Sequence, residues 1–528
     1  MVATGRSQHV VVVGAGVGGL AAAIVLACSG LRVSIIEARR EPGGKMRTLP
    51  SAAGPVDAGP TVLTMPWVFE DLFARAGVRM ADRVELIRQP IIARHWWPDG
   101  SCLDLTDDVE ANAALIGDFA GPAGAADFRR FHAATAALHR AFDRPVMRAP
   151  RPRILGILGA ALASPATWRA LLPGRSLSGF LRASFRDPRL RQLFGRYATY
   201  VGGVPGSAPA VLSLVWQAEA AGVHAVRGGM GALATALADL ARECGVELRL
   251  GTAVARVLTE GGRVSGVALA TGEIVAASEV VFNGDPAGLV QGLCGQAVVS
   301  AVPRRGVAPR SLSAWVWAFA AEPQGRVAQD LVLHNVFFGT DPAAEFGPIA
   351  AGRMPEDPTL YVCAQDRATA EAGTGTETCA AERFEIIMNA PPVRGAAERE
   401  EMKCRTRTFS TLARMGLSFG EHPGASALTA PADFARLHPG SDGSLYGRSP
   451  HGTAATFLRP GARTRVRGLY LAGGGAHPGA GVPMATLSGL HAAEAILTDL
   501  ALPSMSRPTA MPGGMSTAFP TTDGAPSR

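Results

Sequence analysis

Residues 10–31 run for 22 positions without a charged side chain. A stretch of that length can span a bilayer, and Arg6 ahead of it would also suit a signal peptide. The order of residue types predicts something else. Val10-Val-Val-Val13 is a β-branched run, Leu20-Ala-Ala-Ala-Ile-Val-Leu-Ala27 is a helix former, and Arg32-Val-Ser-Ile-Ile-Glu37 reads as a second strand. Gly14, Gly16, Gly18 and Gly19 fall between the first strand and the helix. Strand, glycine turn, helix and strand make a βαβ unit buried on both faces, which accounts for the unbroken apolarity.

The pattern continues in the same style. Residues 246–258 read as a strand pair around Gly251, Gly261-Gly262 as a hairpin turn, and 264–269 and 273–275 as alternating strands. Residues 279–285 read as a strand ending at a polar turn that contains Asn283. Near the C-terminus, 468–484 are strand then glycine loop, and 485–500 a small-residue helix. Residues 311–319 and 331–338 alternate and carry aromatics, which suits either the wall of an apolar tunnel or plain core packing. Residues 502–528 are rich in Pro, Ser, Thr, Met and Gly without a period and read as a disordered tail.

Gly14-Ala15-Gly16-Val-Gly18-Gly19 is GxGxxG between a strand and a helix. The first glycine allows the turn, the second lets backbone approach a pyrophosphate, and the third lets helix and strand pack closely. The helix start offers free N–H groups to an anion. Glu37, followed by Ala38, ends the second strand, where a carboxylate takes ribose hydroxyls. FAD and NAD sites share these parts. The next segment separates them, because Arg39-Arg-Glu-Pro-Gly43-Gly44-Lys45-Met-Arg47 brings two more glycines and several cations to the phosphates. Gly59-Pro60-Thr61 resembles the turn that carries the chain beneath a flavin, and Val254 falls where such enzymes meet the adenine through backbone. Gly473, Gly474, Val482 and Met484 lie in the second glycine loop and suit the flavin ring edge and ribityl chain. Gly229-Met-Gly231-Ala-Leu-Ala234 matches GxGxxA but shows no convincing strand before it and no acidic strand end about 20 residues on, so it reads as the capped start of an ordinary helix, 232–244.

Composition adds three points. Hydrophobic residues make up 47% of the 528, enough for large cores. The seven cysteines are scattered without metal spacing, so no metal site and no disulfide framework is expected. The net charge of +7 is local: residues 129–196 hold fourteen arginines against Asp143 and Asp187, and the remainder is slightly acidic. Residues 154–168 inside that stretch are uncharged, end in Trp168, and are too short to span a membrane. Flanking arginines and a terminal tryptophan suit an element lying in an anionic leaflet; a solvated helical insertion with a buried apolar stripe is the competing reading. No nucleic-acid signature accompanies the charge.

Taken together, the paired signatures 14–45 and 471–484, with Ala472-Gly-Gly-Gly-Ala-His-Pro-Gly-Ala-Gly-Val-Pro483 the most specific, resemble the bacterial phytoene desaturase family over roughly residues 8–500. Three stretches, 93–101, 196–203 and 214–222, are similar to its 1-hydroxycarotenoid 3,4-desaturase (methoxyneurosporene dehydrogenase) branch. The resemblance implies FAD, an acyclic C40 carotenoid with a 1-hydroxy or 1-methoxy end, and a new C3–C4 double bond made by hydride transfer to flavin and proton loss. Quinone or oxygen would take the electrons. Phytoene or neurosporene desaturation, carotene isomerisation and flavin-free prenyl binding are the alternatives on the same fold. His477 is a candidate to accept the C3 proton, or else shapes its loop. Tyr446 belongs to a segment that resembles one near the family's tunnel.

The expected architecture is α/β: a discontinuous Rossmann-type FAD-binding domain (8–75, 223–300, 456–501), a mixed-sheet substrate domain (76–128, 301–455), and a helical, membrane-facing basic insertion (129–222). The expected location is cytoplasmic, peripherally associated with the inner membrane.

Overall fold

The computed structural model describes residues 8–152, 159, 175–368, 381–393, 400–420, 423–452 and 455–500. The tail expected at 502–528 and nearly all of the apolar stretch 154–168 lie outside the described residues.

Five parallel strands form the nucleotide sheet, in the order Leu469–Leu471, Glu279–Phe282, His9–Val13, Arg32–Ile36, Glu247–Arg249. Three separate parts of the chain contribute, as the sequence pattern predicts. The buried helices Val17–Cys28 and Val482–Asp499 cross at Gly18 and Gly489; a Cβ on Gly489 would stand 3.0 Å from that of Ala21 and overlap the Gly18 carbonyl. Small residues thus let the first and last helices of the domain touch backbone to backbone. The strands Val254–Glu260, Arg263–Leu269 and Ile274–Ala276 form an antiparallel ribbon beside this sheet.

The second sheet has seven strands, in the order Leu428–Thr429, Ser313–Ala321, Glu382–Ala390, Leu360–Ala364, His334–Phe337, Ala93–Trp96, Cys102–Leu105. It is mixed, because His334–Phe337 pairs parallel with Ala93–Trp96 while the other pairings are antiparallel. The aromatics Trp315, Trp317 and Phe319 point into a core with Phe409 and Phe419. Of the two readings open for 311–319, core packing is the one these side chains follow.

Helices fill the region between the first two strands of that sheet and the return to the nucleotide domain. Helix Val109–Phe142 starts at an Asp108 cap, whose carboxylate accepts from Ala111 N at 2.8 Å, and kinks at Gly121-Pro122. It begins twenty residues ahead of the arginine-rich stretch, so the helical unit reaches further back than the charge pattern suggested. Leu177–Ser184, Pro188–Gly195 and Trp216–Ala220 pack on it through Phe128, Phe131, Phe185, Phe194 and Trp216, all buried. Arg129, Arg130, Arg148 and Arg189 pair with Glu110, Asp127, Asp143 and Asp187, which offsets part of the local charge at the surface. Arg140, Arg144, Arg151, Arg182 and Arg186 are exposed. No helix among the described residues is long and apolar enough to cross a membrane.

Candidate functional site

The glycine loop sits at the carboxyl ends of the parallel strands. Glu37 accepts from Ala15 N at 2.7 Å and Arg39 N at 2.9 Å, so the strand-end carboxylate is fixed against the loop. Ala38 is exposed beside it. Gly43 N donates to Ala15 O at 2.8 Å, and a Cβ on Gly44 would lie 2.9 Å from Gly16 Cα. The two glycine segments of the sequence are therefore one structure, and glycine is required where they meet. Asn283 braces it from below, donating to Gly14 O at 3.1 Å; a Cβ on Gly16 would stand 2.9 Å from its Nδ2, one on Gly19 at the same distance, and one on Gly473 2.8 Å from its Oδ1. Its side chain is spent on the loops themselves. Thr252 N donates to Glu37 O at 2.9 Å, which sets Val254 beside the same strand end.

Half-buried cations surround this cradle. Lys45 donates to Leu445 O; loss of solvent, with Arg310 and Arg459 nearby, lowers its pKa to about 8. Arg459 donates to Gly474 O at 2.6 Å and Tyr446 O at 3.0 Å, and burial lowers it to about 10. Arg310 pairs with Asp285. Lys45, Arg310 and Arg459 thus share the Asp285 carboxylate, a half-buried surplus of positive charge that fits the diphosphate of a dinucleotide. Arg47 donates to Thr429 from a half-buried position.

A chamber of about 400 Å³ adjoins the cradle. Gly59, Pro60, Thr61, Val482 and Met484 line it, so the turn and the second loop predicted to meet a flavin face the same space. Tyr446 lines it as well. The opposite wall is Tyr361 on one strand, Thr359 just ahead of it, and Ile387 and Asn389 on the next strand, with Val211, Leu212, Leu214 and Val215 from the helical unit. A second cavity of about 710 Å³, bounded by Trp97, Gln192 and Phe338, shares Arg196, Thr199, Thr359 and Asn389 with the first. Together they form a long, mainly apolar space between the two sheets and the helices.

His477 is not part of that lining. Its Nε2 bonds Ala149 O at 2.9 Å, its ring stacks on His491, and burial lowers its pKa. That is the geometry of a histidine shaping the loop. The GxGxxA stretch is closed too. The helix Met230–Glu243 is preceded by a short strand, His224–Val226, which belongs to a two-stranded ribbon with Leu86–Arg88. The amides of Met230 and Gly231 donate to the Asp57 carboxylate, so a side chain fills the place of a phosphate.

Sequence reasoning missed three buried carboxyls. Glu385 lies on the strand face that continues from Ile387, and neither oxygen has a hydrogen-bond partner among the described residues; burial, then Asp57, holds its pKa well above the carboxylate range. Glu345 accepts from Thr359 Oγ1 at 2.7 Å and Asn389 Nδ2 at 2.8 Å. Glu219 lines the first chamber and accepts from Tyr197 at 2.7 Å. A single acid inside an apolar segment, 214–222, was the available signal for Glu219; Glu385 shares its strand with Glu382 and Arg383 and carries no such signal.

A family model described as flavin containing amine oxidoreductase matches residues 17–497. The chain belongs to that family, among its carotenoid desaturases. Its cofactor is FAD. It is 59% identical to a hydroxyneurosporene desaturase of Cereibacter sphaeroides over 93% of this chain and 98% of the other. It is 53% identical to one of Rhodobacter capsulatus, over 94% and 99%. Among solved structures, an oxidoreductase from Methanosarcina mazei superposes with a TM-score of 0.56 at 15% identity, over 92% of this chain and 100% of that one, which supports the fold alone.

Proposed function

We propose that this flavoprotein introduces the C3–C4 double bond into an acyclic carotenoid that carries a 1-hydroxy or 1-methoxy end. The carrying observation is the chamber: Gly59–Thr61 and Val482–Met484, the segments expected to meet the flavin, line one mainly apolar space. The relatives that support the hydroxylated substrate match along nearly their whole length.

Flavin, when bound, supplies a hydride acceptor. The chain's own contribution is holding and drying. Gly14–Gly19, Glu37, Gly43, Gly44 and Lys45 would hold the nucleotide, and Arg459 and Gly474 the region where the second loop begins. The apolar lining keeps water from a substrate in which hydride loss at C4, allylic to the polyene, leaves a cation spread along the conjugated chain. C3 then gives up a proton. Delocalisation makes that proton acidic, so no strong base is demanded. A quinone or oxygen is the acceptor class this reading expects for the two electrons removed. Analysis of the product after anaerobic turnover with a quinone tests this: the hydroxylated polyene loses two hydrogens, at C3 and C4.

The helical unit serves as the docking element. Its exposed arginines Arg140, Arg144, Arg151, Arg182 and Arg186 suit an anionic cytoplasmic leaflet, where the water-insoluble substrate resides.

A further inference from the structure

The three stretches that set this sequence among the hydroxycarotenoid branch lie apart in the chain. Two of them are joined directly, since Tyr197 donates to Glu219 Oε2 at 2.7 Å. The third brings Trp97, which donates to Gln192 at 3.1 Å and borders the second cavity beside Arg196. Arg196 lines both cavities, donates to Tyr200, and lies 5.8 Å from the Tyr361 ring. Tyr361 in turn is 2.8 Å from Thr61, on the flavin-facing turn. A chain of polar groups therefore leads along the chamber wall from the turn to Glu219.

Glu219 is 6% exposed and is the one carboxyl among the described residues lining this chamber. Burying a carboxyl is costly and needs compensation, which Arg196, Tyr197 and Tyr200 supply in part. Tyr197 uses one of its roughly four acceptor positions, and Tyr200 stands close by. The substrate needs such a group: its oxygen is on C1, two carbons from C3, so whatever recognises that oxygen must line the chamber in which C3 and C4 react.

We propose that Glu219 is a specificity-determining residue that hydrogen-bonds the oxygen at C1 of the carotenoid, with Tyr197 as the residue that positions it. This rests on the proposed function above. Burial raises the pKa of Glu219, which favours the protonated acid. A neutral carboxyl both donates and accepts, so it serves a hydroxyl and a methoxy oxygen alike.

The test compares 1-hydroxyneurosporene with neurosporene, which lacks the oxygen, on FAD-loaded protein. Glu219→Leu is expected to raise KM for the hydroxylated polyene roughly tenfold to a hundredfold and to leave the affinity for neurosporene unchanged or improved. Glu219→Gln, which keeps a donor and an acceptor, restores most of the discrimination. An unchanged KM ratio in Glu219→Leu overturns the proposal. Should that variant fail to retain flavin, infrared difference spectra of the wild type decide: the hydroxylated polyene shifts a carboxyl C=O band that is missing in Glu219→Gln, and the absence of any such shift overturns it. A wild type that turns over neither polyene counts against the function itself, whereas a wild type that works and a Glu219→Leu that discriminates equally well count against Glu219 alone.

Discussion

The amide of Met230 donates to the carboxylate of Asp57 at 2.7 Å, across 173 positions of the chain. That bond closes the helix start in the Gly229–Ala234 stretch and leaves one glycine cradle for a dinucleotide among the described residues. Asp57→Ala removes this cap and that of Gly231. The expected loss is about 1 kcal/mol of stability, read as a lower Tm. NADPH should leave the flavin spectrum unchanged in both proteins; flavin bleaching by NADPH would contradict a single site.

Gly16→Val is expected to abolish FAD retention. The added Cβ would meet Asn283 Nδ2 at 2.9 Å, and the rest of the side chain would enter the space between the two glycine segments. The ratio of flavin to protein absorbance checks this, and a flavin-replete variant would refute it.

Lys45→Met removes a half-buried cation whose hydrogen-bond partner is a carbonyl, not a carboxylate. If its charge serves the cofactor, FAD affinity falls at least tenfold while the Tm of the flavin-free protein holds or rises, because desolvating the ammonium no longer costs anything. Titration of apoprotein with FAD measures it. Equal affinity would assign Lys45 to structure alone.

Burial, then Asp57, holds the pKa of Glu385 in the folded protein well above the value of about 4.3 expected for the unfolded chain. The folded state therefore binds the extra proton, and its stability relative to the unfolded chain drops as pH rises above that value, by up to about 1.4 kcal/mol per unit until the folded pKa is reached. Glu385→Gln keeps the shape and removes the titration. The Tm advantage of the variant over the wild type should be small at pH 5 and widen towards pH 8. A difference independent of pH would mean the carboxyl is ionised in the folded protein.

The nucleotide domain was legible because close packing of backbone demands glycine at fixed spacings, and Gly14–Gly19, Gly43-Gly44 and Gly473-Gly474 are those spacings made visible. The chamber was not. Thr61, Glu219, Tyr361 and Asn389 belong to four segments whose meeting depends on tertiary packing, and no local pattern encodes it. Alternation in 313–319 separated two faces correctly but could not tell cavity from core, since both faces are buried. The arginine count likewise marked the basic part of the helical unit and not its beginning, for which the Asp108 cap was the better signal.

Membrane docking has its own test. Flotation with anionic vesicles should carry the protein, weaken with salt, and weaken further in Arg182→Glu/Arg186→Glu, at about 1 kcal/mol per arginine removed from the surface. Deleting 154–168 should release the protein and leave FAD bound. Flotation unchanged by the deletion would remove the docking role.

The absorption spectrum of the polyene during turnover tests the central claim most directly. FAD-loaded protein is mixed with 1-hydroxyneurosporene or with phytoene in liposomes, with a quinone present. The predicted result is a red shift, from one further conjugated double bond, with 1-hydroxyneurosporene and none with phytoene. A shift with phytoene, or none with either, would contradict a C3–C4 desaturase of hydroxylated carotenoids.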